Sequence, residues 1–123
     1  MEGNKMRTFY MYSEKTQSLT TINAHETVDT LKLFYQIICC NIVEMVYLDH
    51  GITIVVDEEG LLKNPIDINV IKEKKTNQTM QMTGNMIFIA IDEYGQTVGL
   101  NEKQMKYIEN ELEIVTIPIS LLT

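Results

Sequence analysis

The side chains of this sequence that could do chemistry are few and poorly grouped. Cys39 and Cys40 are neighbours, and a bridge between adjacent residues would need a strained ring that ordinary disulfide geometry disfavours. No basic residue lies beside them to lower a thiol pKa, so two reduced thiols at the end of a buried helix are expected. His25 falls in the expected first turn of a helix and His50 in a hairpin turn. Either could act as a general base, but zinc asks for convergent Cys and His ligands, which this pattern does not supply. None of the six glycines has the offsets of a phosphate-cradling loop, and there is no G-x-S-x-G nucleophile elbow. No catalytic residue, metal ligand or cofactor is assigned, and the expectation is a protein that binds and is not an enzyme.

Carboxylates are the more abundant chemistry. Asp57, Glu58 and Glu59 crowd one turn, Asp92 and Glu93 another, and Glu109, Glu111 and Glu113 follow near the end. A calcium loop alternates its ligands so that several oxygens point inward, and three consecutive acids before a glycine do not. That turn reads as solvated, its charge guarding the hairpin against edge pairing. Glu109 and Glu113, four apart, are expected on one helix face. If the clusters converge they form an anionic surface able to steer a basic partner onto the domain. The candidate partner-binding residues are accordingly Asp57, Glu58, Glu59, Asp92, Glu93, Glu109 and Glu113. With 17 acidic against 10 basic residues and a net charge of -7, direct binding to nucleic-acid phosphates is disfavoured. The one local basic cluster, Lys72, Lys74 and Lys75, is interrupted by Glu73.

A chain of 123 residues with 45% hydrophobic residues has the size and material of one domain with one core. No run approaches the ~18 apolar residues of a membrane span, and the polar start carries no apolar leader. The expected address is the cytoplasm, that of a bacterial host in view of the resemblance described below, with no membrane contact.

The elements that must position these groups follow from periodicity. Residues 6–12 and 19–22 read as an N-terminal β-hairpin. Asn23 to Glu26 has the form of a capping box, and Val28, Leu31, Tyr35 and Ile38, with Phe34 beside them, trace one stripe of a helix of about 15 residues. Residues 42–48 are apolar at both parities, as in a strand buried on both faces or central in a sheet. A turn at Asp49 to Gly51 and a strand over 52–56 complete a second hairpin. Asn64-Pro65 is a turn, residues 66–75 read as a short helix with Ile68 and Ile71 inward, and residues 76–84 as a mobile loop. Residues 86–91 are a strand, Asn101 to Gln104 a second capping box, and Met105, Ile108 and Leu112 the stripe of its helix. The tail from Ile114 reads as an edge strand, because Pro118 cannot donate to a central ladder. The expected fold is α+β: a single, largely antiparallel sheet of about six strands with two main helices packed on it.

Two stretches are similar to a known family. Residues 44–63, with Asn69 shortly after, and residues 84–104 resemble in order and spacing small proteins of unknown function carried by bacteriophages, plasmids and conjugative elements of Gram-positive bacteria. Both blocks join a strand to a D-E-x-G turn, and the second ends in Gly99-Leu100 before a helix. The resemblance covers about residues 28–110. It departs after Asn69, where the family tends to small residues and this chain has Val70 and Ile71. It implies a mobile-element accessory protein, and in that setting a stoichiometric inhibitor or modulator of a host defence protein. The alternatives are a small-ligand binder, such as a sponge for a nucleotide signal with a pocket at Asn69, Thr83 and Asn85, and a structural or dimerisation module. A homodimer through the apolar tail is compatible with each.

Overall fold

The computed structural model describes residues 5–122; residues 1–4 of the polar start and residue 123 of the tail lie outside the described residues. Strands β1 (Met6–Ser13) and β2 (Ser18–His25) form the expected N-terminal hairpin, paired along their whole length from Met6–His25 to Ser13–Ser18. Strand β2 therefore runs through the segment expected to cap a helix. The Asn23 side chain accepts a hydrogen bond from the Thr8 hydroxyl at 2.8 Å instead, and the Glu26 amide donates to the Lys5 carbonyl. A ladder of cross-strand bonds outweighs one capping bond when the two compete for the same residues.

Helix α1 (Thr30–Ile38) is correspondingly nine residues long, shorter than its apolar pattern suggested. Its cap is Asp29, whose carboxylate accepts from the amides of Leu31 and Lys32 at 3.1 and 3.3 Å. Phe34 and Ile38, one turn apart, face the sheet, while Val28 and Leu31 are exposed. The helix stops at Cys39, which takes a left-handed conformation (φ 61°) and donates its amide to the Tyr35 carbonyl.

The rest of the chain lays down β3 (Val43–Tyr47), β4 (Ile52–Asp57), β5 (Asp67–Glu73), β6 (Thr79–Met82), β7 (Met86–Ile91), β8 (Thr97–Val98), α2 (Glu102–Glu111) and β9 (Leu112–Pro118). The α+β class and the antiparallel pairing hold, but the strands make two sheets. The larger runs β2-β1-β7-β4-β3 with β8 added on β7, and the smaller runs β6-β5-β9. The second sheet arises where a helix and a loop were expected. Ile68, Val70 and Ile71 are β-branched, and in a run this short periodicity does not separate helix from strand. Pairing on both sides, with β6 and with β9, decides for the strand. In the polar stretch after it, Met80 and Met82 alternate inward and make β6.

Two further corrections bear on function. Helix α2 has the expected capping box at Asn101 and Gln104 but ends at Glu111, because the β-branched run that follows pairs with β5. Glu113 therefore lies in β9 opposite Lys72 and shares no helix face with Glu109. Strand β3, apolar at both parities, is an edge strand and not a central one.

The larger sheet separates two cores. On one face Phe9, Val55, Ile87 and Ile89 pack on Phe34 and Ile38 of α1. On the other, Ile54, Met86 and Phe88 pack on Ile71 and Met82 of the smaller sheet and Ile108 of α2. Replacing Asp29 by Ala should lower stability by about 1 kcal/mol, read from the urea midpoint at unchanged slope. Asn23→Ala should cost less than about 0.5 kcal/mol; the reverse order would return the cap to Asn23.

Candidate functional site

The candidate carboxylates do not converge. Strands β4 and β7 are antiparallel neighbours, so the turn after Asp57 and the turn after Ile91 lie at opposite ends of the larger sheet, roughly 20 Å apart for six-residue strands. Much of their charge is also committed. Asp57 accepts from the Glu59 amide at 2.9 Å and pairs with Lys63 at 2.6 Å. Asp92 accepts from the amides of Tyr94 and Gln96, both at 2.9 Å. The Glu109 carboxylate takes the Tyr10 hydroxyl, tying α2 to the sheet. Glu58, Glu93 and Glu113 are exposed. The two D-E-x-G turns also differ: Gly95 has φ +80°, whereas Gly60 is buried with no positive φ, and a Cβ there would overlap the Thr83 hydroxyl.

Asn69, Thr83 and Asn85 do come together, at the joint between the two sheets. Asn69 has no exposed surface. Its amide nitrogen donates to the Gly84 carbonyl at 2.7 Å and its oxygen accepts from the Thr116 hydroxyl at 2.8 Å. Thr116 in turn meets the Tyr12 hydroxyl at 2.7 Å. Asn85 accepts from the Glu14 amide at 3.1 Å and donates to the Ile37 carbonyl at 3.2 Å, while Glu14 takes the Gly84 amide at 2.9 Å. These bonds hold the crossing from β6 to β7, and they turn the polar atoms of Asn69 into the fold.

A cleft that faces solvent lies beside this joint and takes in Thr83, but neither Asn69 nor Asn85. The two sheets pack face to face, but their edge strands β3 and β6 stand apart, and two cavities of about 220 and 260 Å³ open between them, both lined by Met80. Val46 and Met80 form the apolar middle. One end carries Glu44 and Glu58, and the other Asp49, Glu73 and Tyr107. No Lys or Arg among the described residues lines either cavity. Among the described residues Glu44, Asp49 and Glu58 enter no ion pair. Of these, Glu58 was anticipated from sequence. Met80 sits in a polar stretch and Glu44 is a lone acid within an apolar run, so neither carries a local signal of a site.

At the Tyr107 end the phenol donates to Glu73 at 3.2 Å and its ring lies against His50, centroids 4.4 Å apart. Burial pushes the Tyr107 hydroxyl from 10.0 up to about 12, and the Glu73 carboxylate adds to the effect. Backbone amides of Thr76 and Lys75 hold Glu73 below the usual carboxylate value, with the Tyr107 hydroxyl contributing. Burial, and then the bond to Glu109, likewise pushes Tyr10 up to about 12.

This is an α+β domain of two stacked antiparallel sheets with an open, carboxylate-flanked groove along one side. The chain belongs to the family described as a domain of unknown function, DUF3846, whose model matches residues 6–113. The match includes the N-terminal hairpin, which the resemblance read from sequence left out, and stops as β9 begins. No curated protein and no solved structure matches the chain significantly. No helix among the described residues is long and apolar enough to cross a membrane, and these residues contain no group of three or more His, Cys, Asp or Glu placed to hold a metal ion.

Two outcomes follow. Asn69→Leu strands the Gly84 carbonyl and should cost about 2–3 kcal/mol. The pair Asn69→Leu/Thr116→Val should cost less than the sum of the single changes in a denaturation cycle. For the tyrosines, a folded pKa above the unfolded one means that the unfolded chain loses the proton first. The stability they contribute is complete below 10.0 and is lost as pH rises to about 12. The denaturant midpoint should fall across that window, and fall less in Tyr10→Phe/Tyr107→Phe.

Proposed function

We propose that this domain is a non-enzymatic binding protein that holds one protein partner in the groove between β3 and β6. The observation that supports this reading is the open side of the sandwich: an apolar floor between two edge strands, flanked by unpaired carboxylates. Tyr47, 73% exposed, stands beside it as an anchor of the kind that carries most of the energy at protein interfaces, and Leu61, 70% exposed, adds apolar area. The acidic surface is thereby relocated: Glu58 and the Lys63-paired Asp57 stay, Glu44 and Asp49 join them, and Glu59, Asp92, Glu93, Glu109 and Glu113 lie outside.

The partner class comes from setting. The resemblance over residues 28–110 implies an accessory protein of a phage or other mobile element, so the partner is a protein of the bacterial host. The domain would act on it in proportion, as an inhibitor or modulator of a defence protein, an analogy of context and not of chemistry. The test is affinity capture from host lysate with the wild-type domain and with Val46→Lys/Met80→Glu, followed by light scattering of the purified complex. The expected result is one dominant host protein at one-to-one mass, recovered about tenfold less with the variant, a loss of about 1.4 kcal/mol. Equal recovery by the variant would remove the groove from the account, and a mass with several partners per domain would contradict the stoichiometry.

A further inference from the structure

Strand β3 is an edge with the composition of a centre. Natural edges are guarded by Pro, Lys, bulges or brevity. In this domain β9 carries Pro118, β2 is polar, and β6 has only four residues. Strand β3 has apolar residues at four of its five positions, Val43, Met45, Val46 and Tyr47, and no Pro or Lys.

Its hydrogen-bonding parity is fixed by its flanks. The Ile42 carbonyl accepts from the Glu58 amide, and the Leu48 amide donates to the Ile52 carbonyl. In an antiparallel ladder such bonded pairs recur every second residue, so Glu44 and Val46 also bond to β4. Val43, Met45 and Tyr47 then turn their N–H and C=O groups outward, and among the described residues no backbone group pairs with them. The side chains of Glu44 and Val46 face the groove.

We infer that β3 accepts an extended segment of the partner as an additional strand, and that the segment bears a cation, an apolar residue and a second cation at alternate positions, Lys/Arg-x-apolar-x-Lys/Arg. This rests on the reading of the groove as the contact surface and adds the chemistry of its occupant. Strand addition gives main-chain bonds along the edge, and side chains of one parity give the specificity. Those of the parity that faces the groove meet three environments in order. The first cation lies by Glu44 and Glu58, which line the same cavity. The apolar residue lies on Val46 and Met80. The second cation, four residues on and roughly 13 Å away, reaches Asp49 and Glu73, beyond the other end of β3. Three carboxylates without an ion pair and no lining cation among the described residues make the groove complementary to that pattern and opposed to its acidic counterpart.

The test uses the full chain and fluorescent synthetic heptapeptides read by polarisation. The probe is Thr-Lys-Thr-Val-Thr-Lys-Thr; its controls replace both Lys by Glu, or carry N-methyl groups along one bonding edge. The Lys peptide should bind at least about tenfold tighter than the Glu peptide, and weaken as salt rises. N-methylation of the edge that faces β3 should abolish binding, and methylation of the other edge should not. Glu44→Lys should weaken binding about tenfold. Met45→Pro should abolish it with the fold retained, because that amide points away from β4 and Pro is tolerated where an edge N–H faces solvent. Equal binding of the Lys and Glu peptides, or indifference to methylation on both edges, would overturn the inference. Should groove-dependent capture of a host protein persist alongside either result, the binding reading stands and only its occupant is wrong.

Discussion

From Met86 to Ala90, strand β7 has no face that meets water. Met86, Phe88 and Ala90 point into one core and Ile87 and Ile89 into the other, each at most 2% exposed. Burial of each large side chain contributes about 1.5–3 kcal/mol, so the strand is fixed in place on both sides at once. Its ladder positions then place β1 and β8 on one edge and β4 on the other. Helix α1 must cover one face, and the smaller sheet with α2 must cover the other. Because the covering sheet is only three strands wide, it does not close over the far side of the larger sheet. The groove between β3 and β6 is the consequence of covering a wide sheet with a narrow one.

The joint between the sheets is polar, which is unusual for a core contact and fits its task. A buried amide must have partners, and Asn69 finds one on the β6–β7 crossing and one on β9. Through Thr116 the contact continues to Tyr12 of β1. An apolar contact would tolerate sliding of one sheet on the other, whereas these bonds fix their register. The groove then has a fixed shape, and a preformed site loses less to ordering when a partner binds.

Much of this was legible in sequence where pattern and pairing agree. The hairpin of β1 and β2, the strand over 86–91, the capping box at Asn101 and the edge character of the tail all follow from local residues. What failed did so where long-range pairing decides. Asn23 to Glu26 and Asp29 are both plausible caps, and only the partner strand β1 selects the second. Residues 66–75 suit helix or strand until β9, 39 to 51 positions away, supplies a ladder. Whether the acids at Asp57, Asp92 and Glu109 share a surface was not legible, because sequence carries no information on the ends of a sheet. The apolar run at β3 has the composition of a strand buried on both faces or central in a sheet, and its place at the edge leaves one side of the strand unpaired.

That unmade edge can be observed without any partner. Amide hydrogen exchange of the purified domain should divide β3 by parity: Glu44 and Val46 protected by their bonds to β4, Val43, Met45 and Tyr47 exchanging as open amides. Uniform protection along β3 would mean that the edge is already covered, and would contradict the account of an open groove at its source.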